Sequence, residues 1–309
     1  MEILEIGKFY SREGGRTGRA PQDSATVVLL REGTGGPFEF LLMRRRRDQS
    51  FMGGAFVFPG GRLEEADSAP DLQDCCCGFG GDDARRLLQE PGLSGAKALG
   101  LFMAAIRETF EESGVLLACG ASGGTVDLTD PEQAARFAVH RMALHDGRLS
   151  LAELARQEGL RYAPDRLVPY SHWITPEAEP RRFYTRFFLA RVPEGQRPTH
   201  DRMELTESRW MTPDEALAEH AAGRIVLMPP TLKTVEELRG FSGIEALTEA
   251  ARAREIETTL TEAFRSEKGY GVLLPSDPAY SIEALKRPAR PGETTRIVME
   301  DGIWRTSSG

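Results

Sequence analysis

"PGGRLEEAD" (59–67) and "RETFEESG" (107–114) are the two stretches that decide how this chain is read. In the second, Glu108, Glu111 and Glu112 stand at i, i+3 and i+4, so on a helix their carboxylates share one face. Phe102, Ala105, Ile106 and Phe110 supply apolar surface around the other side. The helix runs from about Lys97 to Ser113 and stops at Gly114, where a glycine takes the left-handed conformation that ends helices. Three packed carboxylates repel one another. A divalent cation with oxygen ligands offsets that repulsion. The plain alternative is a solvated acidic stripe, and the spacing taken alone favours it. The first stretch closes "GAFVFPGG", a short strand running into a glycine turn.

Outward from these stretches the chain alternates strands and helices. "ATVVLL" (25–30) and "FEFLLM" (38–43) are β-prone runs separated by a Gly-rich loop. Residues 68–95 are mixed, with a Cys triplet and a short helical piece, "DDARRLLQE". Asp130 followed by Pro131 starts one helix. Ser150 with Glu153 starts another through a capping box. Strands are expected over 182–192 and 204–212, helices over 213–223 and much of 231–265, and a hairpin around Asp301-Gly302. This alternation indicates a layered α/β or α+β domain with a helical and β tail.

Bulk properties exclude several classes. The 309 residues are 40% hydrophobic and 28% charged, which suits a soluble globular protein. A net charge of −8 argues against a nucleic-acid coating protein. It leaves room for a small anion held by local arginines or metal ions. No apolar run approaches the roughly 20 residues that cross a bilayer, so no membrane role is expected. "MEILEIGKFYSREGG" lacks the layout of a signal peptide, and the cytoplasm is the expected compartment. Cys75, Cys76 and Cys77 lack zinc-site spacing, and with Cys119 they read as loop thiols. The five histidines show no ligand spacing.

The two opening stretches together resemble the Nudix box, G-x5-E-x7-R-E-U-x-E-E-x-G-U, where U is bulky and aliphatic. Gly61 matches its first glycine, and Asp67 stands for its first glutamate. Arg107, Glu108, Glu111, Glu112, Gly114 and Val115 match its second half, with Thr109 at the first aliphatic position. Between Asp67 and Arg107 lie 39 residues where the box has seven, an insertion of about 32. Loop closure entropy grows slowly with length, so the motif survives as two segments rejoined by the fold. The resemblance implies an α+β Nudix αβα sandwich with a mixed sheet, a helical insertion inside the box and a C-terminal helical and β extension. The expected division is a leader over 1–23, the Nudix domain over 24–236 with its insertion at 68–96, and the extension over 237–309. The Gly and Cys content of the insertion fits a surface excursion that shapes the substrate entrance.

Split boxes are a mark of the branch that looks like the peroxisomal coenzyme A diphosphatases. "LLMRRRRDQSFMGGAFVFPGG" keeps most of the upstream pattern of that branch, at Leu41, Leu42, Arg45, Gly54, Phe58, Pro59, Gly60 and Gly61. It departs at Met43, Arg46 and Ser50, where the pattern has Thr, Ser or Ala, and Arg. Four consecutive arginines, Arg44 to Arg47, at a strand end alternate faces, so at most two reach one site. The resemblance implies Mg²⁺ or Mn²⁺ on Glu108, Glu111, Glu112 and the Gly60 carbonyl. It places Glu108 in the metal cluster or as base, Arg107 as orienter of the carboxylates, and Arg45 and Gly61 on the substrate. Glu204 is a further catalytic candidate and Glu207 its runner-up. The implied reaction is hydrolysis of the diphosphate in a small nucleoside diphosphate derivative, with coenzyme A or acyl-coenzyme A favoured. ADP-ribose or a nucleotide sugar is the alternative substrate, and a non-catalytic ligand-binding module the alternative class. The family also points to a homodimer.

Overall fold

The computed structural model describes residues 20–48, 52–121, 123–199, 205–266 and 269–309. Strands β1 (Gln22–Glu32) and β2 (Phe38–Arg45) form an antiparallel pair. The short strands β3 (Phe56–Val57) and β4 (Gly60–Arg62) lead to helices α1 (Asp71–Asp74), α2 (Gly81–Leu88) and α3 (Gly95–Ser113). Then come β5 (Ala118–Cys119), α4 (Pro131–His145), α5 (Leu151–Glu158) and β6 (Arg161–Tyr162). Strands β7 (Val168–Ile174), β8 (Phe183–Arg191) and β9 (Leu205–Met211) precede α6 (Pro213–Ala221), α7 (Pro229–Leu238) and α8 (Ile244–Ala253). The chain ends in β10 (Thr258–Leu260), β11 (Glu262–Ser266), β12 (Gly269–Leu273), β13 (Arg296–Glu300) and β14 (Ile303–Ser307).

Eight strands make one mixed sheet in the order β10-β7-β8-β1-β2-β3, with β4 also on β1 and β9 on β2. The β1–β8 and β10–β7 pairs are parallel and the others antiparallel. Strand β1 shows how the sheet separates two cores. Ala25, Val27 and Leu29 face the layer containing α3, while Val28 and Leu30 face the layer containing α7 and α8. That alternation is the period of two that a strand buried on both faces imposes. The result is the αβα sandwich expected from the box.

Local signals account for the helix ends. Ser94 caps α3 by accepting the Lys97 N–H (3.2 Å), and Gly114 stops it at φ 73°. Ser150 and Glu153 form the expected reciprocal box, and Asp130 caps α4 ahead of Pro131. Helix α3 is more buried than its amphipathic reading implies, with Leu101, Met103, Ala104 and Thr109 enclosed as well. The sheet covers one side of it and α2 another.

Three features depart from the pattern. Residues 231–265 are only partly helical, because the helix breaks at 239–243 and "TTLTEAF" (258–264) enters two strands. Its three threonines are β-branched and favour extended backbone. Strand β7 carries Pro169 at a register shift against β8, which hides it from an alternation search. Finally, residues 68–96 are no surface loop. Leu72, Cys76, Phe79, Ala84 and Leu88 are buried in the core around α3. Glu90 receives two bonds from buried Arg186 of β8, Nε–Oε1 at 2.9 Å and Nη2–Oε2 at 2.8 Å. Gln89 donates to the Arg254 carbonyl and accepts the Ile256 N–H.

The terminal strands β11 to β14 form a second antiparallel sheet. Val272, Leu274, Ile297 and Trp304 pack into the core on the α7–α8 side. His220 Nε2 bonds the Trp304 carbonyl at 2.8 Å, and Tyr280 donates to the Leu260 carbonyl at 2.7 Å. Among the described residues no helix is long and apolar enough to cross a membrane.

Candidate active site

The two halves of the split box meet. A methyl group built on Gly61 would fall under 3 Å from the Glu108 carboxylate, so the glycine leaves this carboxylate room to lie against the strand. The Gly60 N–H donates to Glu112 Oε2 at 2.8 Å. Strand β4 therefore lies directly against the acidic face of α3, although 46 positions separate Gly61 from Arg107.

Arg107 organises the cluster. Its Nε and Nη2 donate to the two oxygens of Asp67 at 2.8 and 2.9 Å, and Nη2 also reaches the Arg62 carbonyl at 2.8 Å. Its Nη1 donates to Glu108 Oε1 at 2.9 Å and to Glu111 Oε2 at 3.5 Å. Asp67 is 2% exposed, and its Oδ2 also accepts the Glu64 N–H. Asp67 thus occupies the box's first acidic position as the clamp that fixes Arg107, through the bidentate geometry a guanidinium and a carboxylate share. Burial works against the charge on Arg107. The Asp67 bonds and the nearby Glu108 and Glu111 outweigh it and raise its pKa.

Glu111 is 8% exposed and Glu112 5%. Burial pushes the Glu111 carboxyl up to about 7; Arg107 opposes this, and Glu108 and Glu64 add to it. A buried carboxylate crowded by like charges is stabilised by a nearby divalent cation, and hard oxygen donors of this kind suit Mg²⁺ or Mn²⁺. The donor chemistry therefore fits a divalent ion. Among the described residues no three such side chains yet converge on one point. Glu112 is turned to the Gly60 N–H and Glu108 to Arg107.

A cleft of about 870 Å³ opens on this cluster. Glu108, Glu111, Glu112, Gly60, Gly61, Arg107 and Arg45 all line it. Arg45 Nε is buried without a hydrogen-bond partner among the described residues. Its neighbours are otherwise engaged: Arg44 pairs with Glu207 at 3.6 Å and Arg46 with Asp48 at 2.7 Å. Glu207 also accepts from Arg209 at 2.6 Å and is absent from the cleft lining. Glu204 and His200 lie outside the described residues. No residue of 68–96 lines the cleft, which overturns the expectation that the insertion shapes the entrance. The insertion's apolar residues are drawn into the α3 core instead.

Three participants escape the sequence reading. Glu64 lines the cleft from the box loop, one of three acids in "LEEAD" with nothing in spacing to single it out. His145, the last residue of α4, lies on the lining with no ligand spacing to mark it. Arg141 of α4 donates to the carbonyls of Glu111 and Glu112 at 2.7 Å each, and to the Thr199 carbonyl at 2.9 Å. It supplies the positive charge that the last turn of α3 lacks.

Comparison with known proteins agrees with this geometry. The model of the NUDT19 Nudix domain matches residues 19–238. The acyl-coenzyme A diphosphatase NUDT19 of Gallus gallus is 30% identical over 311 aligned positions, covering 84% of this chain and 79% of that protein. Its Xenopus laevis counterpart is 26% identical over 297, covering 84% and 75%. A Nudix hydrolase crystal structure from Alicyclobacillus acidocaldarius superposes with a TM-score of 0.60 at 24% identity, covering 78% of this chain and 99% of that one, and shares the fold. With its box rejoined in space and its family model matched over most of its length, the chain belongs to the NUDT19 Nudix domain family and is a Nudix hydrolase.

Proposed function

We propose that this chain cleaves the diphosphate linkage of a nucleoside diphosphate derivative, with coenzyme A or an acyl-coenzyme A as favoured substrate and Mg²⁺ or Mn²⁺ as cofactor. The observation that carries the metal-dependent reading is the carboxylate cluster itself: Glu111 and Glu112 are nearly buried at the cleft, with Glu108 and Glu64 on the same lining. The names of the relatives support the substrate. Glu108, Glu111, Glu112 and the Gly60 carbonyl are the residues that would hold the cation. When bound, such an ion polarises a phosphoryl oxygen and lowers the pKa of water.

The chain's own residues do the rest. Arg107, clamped by Asp67, holds Glu108 and Glu111 in place, so their charges need little reorganisation during reaction. Glu108 touches Gly61 at the cleft wall and takes the proton of the attacking water, or stays in the cation cluster while Glu64 does so. Arg45 meets a phosphate oxygen, which gives its orphaned Nε a partner. The test is incubation of purified protein with Mg²⁺ and, separately, coenzyme A, ADP-ribose and UDP-glucose. Release of 3′,5′-ADP and a phosphopantetheine product from coenzyme A is expected. Turnover of ADP-ribose or UDP-glucose alone would move the substrate, and turnover of none would overturn the reading.

A further inference from the structure

The cysteine triplet of the insertion divides three ways. Cys76 is 1% exposed; its thiol donates to the Leu72 carbonyl at 3.2 Å and meets the Met103 sulfur at 3.8 Å. Burial pushes that thiol up to about 12, so Cys76 stays protonated in the core. Cys75 turns back along its own chain and donates to the Asp71 carbonyl at 3.3 Å. Cys77 turns the other way. Its N–H bonds the Tyr162 carbonyl at 2.9 Å, and its sulfur lies 3.7 Å from the Arg161 carbonyl. Cys119 of β5 stands opposite the same Arg161 in the β5–β6 register. The two cysteines therefore converge on one residue of β6, from the insertion and from the strand that leaves α3. Their side chains interact directly: burial first, then the charge and hydrogen bond of Cys119, raise the Cys77 thiol. Arg166 Nη2 donates to the Cys119 sulfur at 3.6 Å. Both are free thiols, half-buried and open in part to small solutes.

We propose that Cys77 and Cys119 form a peroxide-sensitive dithiol, which closes into a disulfide tying the insertion to the strand after α3. The thiolate is the nucleophile in such chemistry, and a negative charge on the Cys119 sulfur has the Arg166 guanidinium beside it. Cys119 therefore attacks first. Its sulfur takes one oxygen of hydrogen peroxide: an S–O bond forms, the O–O bond breaks, and the second oxygen leaves as hydroxide, which takes up a proton to become water. The Cys77 sulfur then attacks the Cys119 sulfenic acid. The S–S bond forms, the S–O bond breaks, and the departing hydroxide takes the Cys77 proton as a second water. Two electrons pass from the two thiols to one peroxide. An external thiol reverses the bridge by exchange. The ring closed in this way contains α2 and the whole of α3, with Glu108, Glu111 and Glu112. None of the four cysteines lines the cleft, so the pair stands apart from the carboxylate site and from whatever substrate that site takes.

The test uses the full chain, reduced and freed of reductant, then treated with a small excess of hydrogen peroxide and N-ethylmaleimide. About two of the four thiols should be lost per chain. Trypsin leaves the triplet on the peptide 63–85 and Cys119 on the peptide 108–136. These peptides should appear joined in mass spectra, and fragmentation between Cys76 and Cys77 should place the join at Cys77. Dithiothreitol should separate them. Cys77→Ser should abolish the join and leave Cys119 as a sulfenic acid that dimedone captures, whereas Cys75→Ser should leave the join intact. The spectra of the unaltered chain locate the bridge even if a serine variant does not fold. A join at Cys75 or Cys76, a bridge between two chains, sulfinic acid without a join, or survival of all four thiols overturns the proposal.

Discussion

Two segments of this molecule exchange the roles their sequence positions suggest. Residues 68–96 interrupt the catalytic motif itself, yet none of them lines the cleft. The terminal sheet begins more than 140 residues after the box, beyond the matched domain, and contributes Val272 to the lining, with Thr261 just ahead of its first strand. The difference follows from what each segment buries. The insertion carries Leu72, Phe79 and Leu88, which are drawn to the back of α3, away from its acidic face. The terminal sheet carries Val272 and Trp304, which seal the opposite side of the central sheet next to the β7–β8 connection. Position in the chain sets how a segment is tethered, and its apolar side chains set where it lands.

The harshest way to break the comparison is to excise the insertion. Replacing 70–95 with a short Gly-Ser linker removes Leu72, Cys76, Phe79, Ala84 and Leu88 from the core and leaves Arg186 without Glu90. At about 1.5–3 kcal/mol for each large apolar side chain, the loss is of the order of 5–10 kcal/mol. That equals the whole stability of an ordinary domain. The expected outcome is insoluble or unfolded protein by circular dichroism. A folded product whose thermal midpoint lies within a few degrees of the original would show that the insertion is a replaceable surface feature.

Next in size is Glu111→Gln, which should lower kcat about a thousand-fold, roughly 4 kcal/mol of transition-state stabilisation. The same variant sharpens the electrostatic reading, because its effect on stability has the opposite sign. Burial raises the Glu111 carboxyl from its ordinary 4.5 to about 7. The folded state therefore favours the protonated form. The stability this contributes is complete below about pH 4.5 and is lost as the pH rises through 7. In EDTA at pH 8, Glu111→Gln should be the more stable protein, by up to about 3 kcal/mol. Near pH 5 the two should melt together. Equal melting at both pH values would show that Glu111 is comfortably charged without a metal.

Glu90→Ala ranks third. It leaves Arg186, 1% exposed, with Asp23 as its remaining carboxylate partner among the described residues. Breaking a buried ion pair on one side costs about 3–5 kcal/mol. Because the bond lies outside the cleft, kcat and KM of the folded fraction should hold within about twofold. A selective rise in KM, measured at a temperature where the variant is fully folded, would connect the insertion to substrate after all.

Much of the site was legible because it rests on residue types at fixed spacing. Gly61, Arg107, Glu108, Glu111 and Glu112 are identified by chemistry that tolerates few substitutes, and the fold needs only to bring them together. The alternation of Arg44, Arg45 and Arg46 followed from strand geometry, and Arg45 is the one on the cleft lining. What escaped depends on contacts across the chain. Glu179 meets Tyr270 over 91 positions, and nothing local marks either residue. Strand β7 escaped because Pro169 breaks its alternation, and the start of the second sheet because alanine- and glutamate-rich sequence before it continues a helical pattern. The insertion was misread because Gly and Cys content says little about burial once a neighbouring helix offers an apolar face.

The smallest effect concerns a residue belonging to neither segment. Arg141 reaches the end of α3 from α4 and bonds the carbonyls of the two glutamates proposed to hold the cation. Helix ends leave their last carbonyls without partners inside the helix, and a guanidinium there satisfies them and opposes the helix dipole. Arg141→Ala should cost about 1–2 kcal/mol in thermal stability. It should also lower kcat by about tenfold, because a loosened last turn lets Glu111 and Glu112 drift from the geometry the reaction needs. Arg141→Lys should recover only part of this, since one ammonium cannot span the Glu111, Glu112 and Thr199 carbonyls as a planar fork does. A kcat within twofold of the original in Arg141→Ala would show that this arginine braces the end of the helix without serving the reaction.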